Sequence, residues 1–305
     1  MVTLPSIGER LLHGFLRSKN VRIPRRRLRE AIQRVDPDGL QHRRSLLHRR
    51  IKRRVYSVPA PHNLWHIDGN NKLIRWSMVI HCGIDGFSRS CVYIRCANNN
   101  RSETVLHSFD NAVNLYETMP KRVRSDYGTE NYGVIDRMIA ANQDDSPAVL
   151  LGSSVHNQRV ERFNGEINRN IRLKYAHLFY TLESRGLLDP NDELDLFTLH
   201  YVFLPRINRA LATLANSHNN HCISTEFNAT PNQLLAVYDH VAPSHRSDSD
   251  EDASAQLFHD TPAVLSEYYQ NFLLLNVPPH TADEDNGLTV YQAVREYIHN
   301  YAFHE

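Results

Sequence analysis

Three acidic residues lie where predicted strands end or a predicted helix begins. Asp68 ends the short strand LWHID, Asp126 ends the strand KRVRSD, and Glu161 lies near the start of a helix. Neighbouring strand ends bring their side chains together, and a helix packed across that edge adds a third carboxylate. Carboxylate oxygens are the ligands that Mg²⁺ and Mn²⁺ prefer. Two such ions about 3.5–4 Å apart can bind the attacking and leaving oxygens of a phosphoryl transfer. The pattern therefore predicts metal-dependent phosphoryl-transfer chemistry.

Each acid taken alone has an ordinary structural explanation. Asp68 and Asp126 could be turn residues, and Glu161 could form an ion pair on the surface. We interpret two further acids in this structural way: Asp85 as a turn residue, and Glu130 as an acid favoured by the dipole at a helix N-terminus. The joint placement of the first three favours a metal site.

The elements that must position these acids form an α/β pattern. Short β-rich runs are predicted at residues 64–68, 77–86, 90–97, 121–126 and 148–152, with helices at 102–117, 129–143 and 154–171. Three strands followed by alternating helices and strands indicate a mixed five-stranded sheet flanked by helices. A longer helix is predicted at residues 194–216.

The N-terminal part of the chain is strongly basic and has its own helical pattern. Helices at residues 6–18 and 24–35, joined by a tight turn, are typical of a helix-turn-helix unit. Residues 1–60 carry 16 Lys and Arg against 4 Asp and Glu, which favours a nucleic-acid partner over a merely solvated arm. The residues expected to contact the DNA backbone are Arg25, Arg26, Arg27, Arg29, Arg53 and Arg54.

Composition restricts the class of protein. No apolar run approaches the roughly 18 residues that a membrane span requires, and the N-terminus does not have the pattern of a secretion signal. The four cysteines form no C-x-x-C pair, so we interpret them as free thiols in a reducing compartment. The basic run at residues 41–54 resembles a nuclear import signal, and the nucleus is the expected location.

The motifs around the three acids resemble those of the DDE integrase core of retroviral integrases and related transposases. The matching segments are WHID, IDGFSR, RSDYGTEN and HNQRVERFNGEI. Within that group the chain is similar to integrase core domain-containing proteins of animal and fungal genomes, over roughly residues 10–235.

The resemblance implies an RNase H-like fold and a specific set of site residues. Asp68, Asp126 and Glu161 match the metal ligands, and Mg²⁺ or Mn²⁺ is the implied cofactor, with two ions. Three residues of the glutamate helix are implied DNA contacts: Asn157, Arg159 and Arg162. Family members act on DNA as dimers or higher assemblies, so a homo-oligomer is expected. Gly165 and Asn168 stand where retroviral members often carry lysines.

Three functions follow from this reading. The first is a polynucleotidyl transferase that cuts DNA and joins its 3′ end to a target. The second is a DNA-binding protein derived from such an enzyme without strand transfer, and the third is an RNase H-type nuclease. The predicted organisation is a helical unit at 1–40, a basic linker at 41–62, the catalytic core at 63–178, a helical extension at 179–243, an acidic linker at 244–256 and a helical tail at 257–305.

Overall fold

A five-stranded sheet forms the centre of the molecule. The structure, a computed structural model, describes residues 7–39, 57–142, 147–152, 157–236, 273–280 and 285–301. The strands are β1 Trp65–Leu73, β2 Met78–Asp85, β3 Cys91–Ala97, β4 Val123–Ser125 and β5 Val149–Leu151. Their order in the sheet is β3-β2-β1-β4-β5. β1, β2 and β3 are antiparallel, whereas β4 and β5 run parallel to β1. The predicted mixed sheet is confirmed.

The first strand is longer than the sequence pattern indicates. We expected it to end at Asp68, and that endpoint is wrong, because the strand continues to Leu73. Gly69 and Asn70 pair with His81 and Ile80 of β2. The strand pairs with β2 through a segment rich in turn-forming residues and becomes irregular only after Asn70.

The main α-helices surround the sheet. They are α1 Glu9–Ser18, α2 Arg25–Val35, α3 Ser102–Tyr116, α4 Tyr132–Ala141, α5 Gln158–Ile167, α6 Leu173–Ser184, α7 Glu193–Asn219, α8 Pro231–Ala236 and α9 Leu288–Tyr301. A π-helical turn, Asn168–Arg172, joins α5 to α6. None of these helices is long and apolar enough to cross a membrane.

The two faces of the sheet have separate apolar cores, since side chains alternate along each strand. Trp65, Ile67 and Val123 point to the face that α3 and α4 cover. Ile80 and Ile84 of β2 point to the other face, which packs against α5, α6, α7 and α9. The catalytic-core prediction thus corresponds to a three-layer α/β arrangement.

The N-terminal helices belong to the second of these cores. Leu11 of α1 and Leu28 of α2 join the same buried cluster as α7. α1 packs so closely on α7 that a Cβ atom at Gly14 would lie 2.1 Å from the carbonyl oxygen of Ser217. The sequence predicted both helices as a separate unit, but the structure shows them within the common core, because their apolar stripes need α7 to cover them.

The remaining predicted segments lie partly outside the described residues. The basic run 41–54, which includes Arg53 and Arg54, and the acidic run 244–256 both lie outside them. The helical tail is described at residues 273–280 and 285–301, and its helix α9 packs on α7. Arg295 of α9 forms an ion pair of 2.7 Å with Asp195, a residue that is only 5% exposed in its side chain.

Candidate active site

The register of two parallel strands places the two aspartates at the same level. His66 of β1 pairs with Arg124 of β4. Continuing this register by two residues sets Asp68 beside Asp126, which follows directly after β4. Glu161 lies in the first turn of α5, which packs against β1. The three predicted acids therefore converge on one edge of the sheet.

The electrostatics of Asp68 reflect the neighbouring acids. Burial, together with the negative charges of Glu161 and Asp126, raises the pKa of Asp68 to about 7. A carboxyl group surrounded by other carboxylates favours its protonated form, because like charges repel at short range. An edge of this kind stabilises a bound cation.

Amide groups hold the two aspartates in place. Asn164 of α5 donates a hydrogen bond of 2.7 Å from Nδ2 to Oδ2 of Asp68. The Oδ1 atom of Asp68 accepts one from the backbone N–H of Gly69 at 3.0 Å. The Oδ1 atom of Asp126 accepts from the backbone N–H of Gly128 and from the side chain of Asn131. The Asp68 carboxylate is thereby hydrogen-bonded to α5, and the Asp126 carboxylate is hydrogen-bonded to the turn that follows it.

A buried hydrogen-bond pair holds the start of α5 against β1. Asn157, at the N-cap of α5, donates from Nδ2 to the carbonyl oxygen of Ile67 at 2.9 Å. Its Oδ1 atom accepts from Nδ1 of His66 at 2.6 Å. Burial lowers the pKa of His66 to about 4, so the ring is neutral and its Nδ1–H is the donor. Asn157 was expected to contact DNA; the structure instead buries it to 2% exposure, where it positions the helix that carries Glu161.

A fourth acid lies at the same edge, and the sequence analysis did not assign it there. Glu130 is in a short 3-10 helix, Thr129–Asn131, after Asp126. Its charge also raises the pKa of Asp68. A Cβ atom built on Gly69 would lie 3.5 Å from Oε1 of Glu130. Its position four residues after Asp126 was the available signal, but a helix-terminal acid has the same sequence appearance.

The donor set fits a hard divalent cation. Its ligands would be carboxylate oxygens, and a cation would neutralise the negative charges of Glu161 and Asp126, which, after burial, raise the pKa of Asp68. Across the part of the chain that the structure describes, however, no three His, Cys, Asp or Glu side chains are grouped closely enough to hold a metal ion. In this arrangement the side-chain amides of Asn164 and Asn131 donate hydrogen bonds to the carboxylates of Asp68 and Asp126.

The predicted basic residues that the structure describes lie on two helices, α5 and α2. On α5, Arg162 is exposed and Arg159 is half-buried. On α2, Arg25 and Arg29 bind Glu9 of α1 at 2.7 and 2.8 Å. Arg26 forms a looser pair of 3.7 Å with Glu30, and Arg27 is exposed. Arg25 and Arg29 therefore link α2 to α1, and these ion pairs reduce the positive charge that α2 can present to a partner.

Comparison with known proteins gives a family and several similar folds. A family model described as an integrase core domain matches residues 55–247, more than half of the chain. The HTLV-2 integrase catalytic core domain in complex with magnesium, in its trimeric form, is 19% identical, with 59% of this chain and 99% of that chain covered and a TM-score of 0.38. The dimeric form of the same domain is 18% identical, with 58% and 98% covered and a TM-score of 0.37.

A third structure extends over more of the chain. The simian T-cell lymphotropic virus intasome in complex with the PP2A regulatory subunit B56 gamma is 17% identical, with 79% of this chain and 77% of that chain covered and a TM-score of 0.38. No curated protein matches the sequence. The family model and the five-stranded mixed sheet with helices on both faces lead to one conclusion: the chain belongs to the integrase core domain family and has its RNase H-like fold.

Proposed function

We propose that this protein is a DDE polynucleotidyl transferase that cuts DNA and joins a 3′ end to target DNA. The observation that carries the proposal is the convergence of Asp68, Asp126 and Glu161, expressed in the raised pKa of Asp68. Membership of the integrase core domain family supports it. Such an arrangement suits in-line phosphoryl transfer without a covalent protein intermediate.

The three acids would hold Mg²⁺ or Mn²⁺, two ions in all, through their carboxylate oxygens. When bound, such ions neutralise charge on the reacting phosphate and activate the attacking water or hydroxyl. Asn164 orients Asp68, and Asn157 positions the first turn of α5. These amides therefore set the distance between the strand acids and Glu161.

Partner, assembly and location form part of the same proposal. DNA is the proposed substrate, held in part by Arg162 beside Glu161. Joining two DNA ends requires two active sites, so the proposed working form is a homo-oligomer. Residues 41–54 contain a basic run of the kind that directs nuclear import, and the nucleus is the proposed location.

The direct test is cleavage and strand transfer on duplex DNA ends with Mg²⁺ or Mn²⁺. We expect Glu161→Gln to abolish both, since it removes a metal-binding charge while keeping the side chain's size. The matched control is Glu103→Gln, an exposed acid in the first turn of α3, which should retain wild-type activity. Equal activity of Glu161→Gln and wild type would refute the catalytic role.

A DNA-binding protein without strand transfer is the second candidate. The observation that favours it is the engagement of the Asp68 and Asp126 carboxylates by amide donors. Under this candidate the wild type binds DNA but neither cuts nor joins it with either metal. Cleavage of RNA–DNA hybrids in preference to duplex DNA would instead indicate an RNase H-type nuclease.

A further inference from the structure

Four arginines lie around the C-terminal end of α7, and they come from three different segments. Arg10 and Arg17 are on α1, Arg162 is on α5, and Arg89 is in the turn between β2 and β3. None of them lies on α7. This convergence is a property of the fold, because the three segments are far apart in the sequence.

The packing of α1 defines one side of this arginine cluster. Gly14 rests on the backbone at the end of α7, and a Cβ atom there would lie 2.9 Å from the backbone nitrogen of His221. Arg10 is one helical turn before Gly14 and therefore lies on the same face of α1. Arg17, on the other side of Gly14, donates from Nη1 to Sγ of Cys222 at 2.7 Å.

Helix α5, which carries Glu161, defines the other side of the arginine cluster. The ring of Phe163 packs on the ring of His218 with centroids 4.7 Å apart. This contact brings Arg162, the preceding residue, to the same end of α7. Burial lowers the pKa of His221, and the positive charges of Arg162 and Arg10 lower it further. Both guanidinium groups are therefore close to one imidazole ring.

Within the described residues, two of the four arginines have side-chain partners and two do not. Arg17 is bonded to Cys222, and Arg89 forms an ion pair of 2.6 Å with Glu226. Arg10 and Arg162 are both exposed, and no carboxylate among the described residues pairs with either. Uncompensated guanidinium groups close together favour an anion, and phosphate oxygens match their planar donors.

We propose that Arg10 of α1 and Arg162 of α5 form a joint phosphate-binding patch that holds the DNA backbone beside Glu161. The inference rests on the proposed function, which makes DNA the substrate. It assigns the N-terminal helix a role in substrate binding that does not depend on a separate helix-turn-helix unit. The packing of α1 on α7 serves this role, because it fixes Arg10 relative to the catalytic helix.

The test measures DNA binding without catalysis. A fluorescently labelled duplex is titrated in EDTA at a series of KCl concentrations, with Arg10→Gln, Arg162→Gln, the double variant and wild type. Each single variant should reduce the slope of log affinity against log salt by about 0.9, and the double variant by about 1.8, because each lost phosphate contact removes one counterion release. Arg10→Lys, which keeps the charge, should keep the wild-type slope.

The control is Arg185→Gln, an exposed arginine at the end of α6, which should leave the slope unchanged. If Arg10→Gln matches this control, the joint patch is refuted, whatever Arg162→Gln does. If the variants bind like wild type while the wild type still cuts DNA, only the patch fails and the proposed function stands. A wild type that neither binds nor cuts DNA would refute both.

Discussion

Two aspartates on neighbouring strands have opposite surroundings. Asp85, at the end of β2, is fully buried and accepts four hydrogen bonds from backbone and side-chain donors: the N–H groups of His62, Phe87 and Ser88, and the hydroxyl of Ser88. Asp68, on β1, accepts two hydrogen bonds and faces other carboxylates.

The contrast separates an acid with a structural role from an acid that is a candidate for function. Burial raises the pKa of Asp85 as well, but its backbone and side-chain donors lower it. These donors oppose the cost of burying the charge, and they place Asp85 in the turn after β2, in line with its interpretation as a turn residue. The surroundings of Asp68 work against its charge, so folding gains nothing from the ionised form. A site that is electrostatically unfavourable without a partner is a candidate for function.

The largest effect on stability is expected at Asp85. Replacing it in Asp85→Ala leaves four donors near the core without an acceptor, and unfolding should become easier by about 3–5 kcal/mol. Asp68→Asn should show no comparable loss, because it removes repulsion. Chemical denaturation followed by circular dichroism measures both, and equal losses in the two variants would remove the distinction.

The next effect is a pH dependence that belongs to Asp68. Its pKa is about 7 in the folded protein, against an ordinary value of 3.8. Between these values the native state holds the extra proton, so the free energy of unfolding should fall as pH rises from about 4 to 7. The decrease has a ceiling of about 4 kcal/mol, since each pKa unit corresponds to about 1.4 kcal/mol.

The difference between wild type and Asp68→Asn isolates this contribution from other titrating groups. Denaturation at a series of pH values should show a shallower decline in the variant. Parallel curves over the range 4 to 7 would mean that the pKa of Asp68 is not raised in the folded protein.

The smallest effect is expected at Ser88. Ser88→Ala removes one of the donors to Asp85, the hydroxyl that contacts Oδ2 at 2.8 Å, while the backbone donors remain. Stability should fall by about 1 kcal/mol, as for a single hydrogen bond. A loss as large as that of Asp85→Ala would show that the turn depends on the serine rather than on the carboxylate.

The sequence predicted the strands and helices better than it predicted the contacts that their side chains make. The alternation of strands and helices predicted the mixed sheet. Asp68 and Glu161 lie on the predicted elements, and Asp126 lies directly after its predicted strand. The end of β1 was missed because Gly69 and Asn70 are typical of turns. In the structure the Asn70 side chain instead donates to Asn164 and Asn168, residues more than 90 positions away. No local pattern contains that contact.

The sequence also could not predict which groups individual side chains contact. The apolar stripe of α1 predicted a helix but could not indicate that α7 covers it. The sequence around Asn157 looks the same whether its amide binds DNA or forms a hydrogen bond with His66. Glu130 was assigned to a helix terminus because its proximity to Asp68 depends on the turn after β4.

The most direct test of the account is a calorimetric titration of Mn²⁺ at pH 7 into the wild type, repeated in two buffers with different ionisation enthalpies. We predict that the wild type binds Mn²⁺ and releases a fraction of a proton, because Asp68 is partly protonated at that pH. Asp68→Asn should lose both the binding and the proton release, whereas Asp136→Asn, an exposed acid on α4, should keep them. Equal Mn²⁺ binding by wild type and Asp68→Asn, or none by the wild type, would contradict the claim that these carboxylates form a cation site.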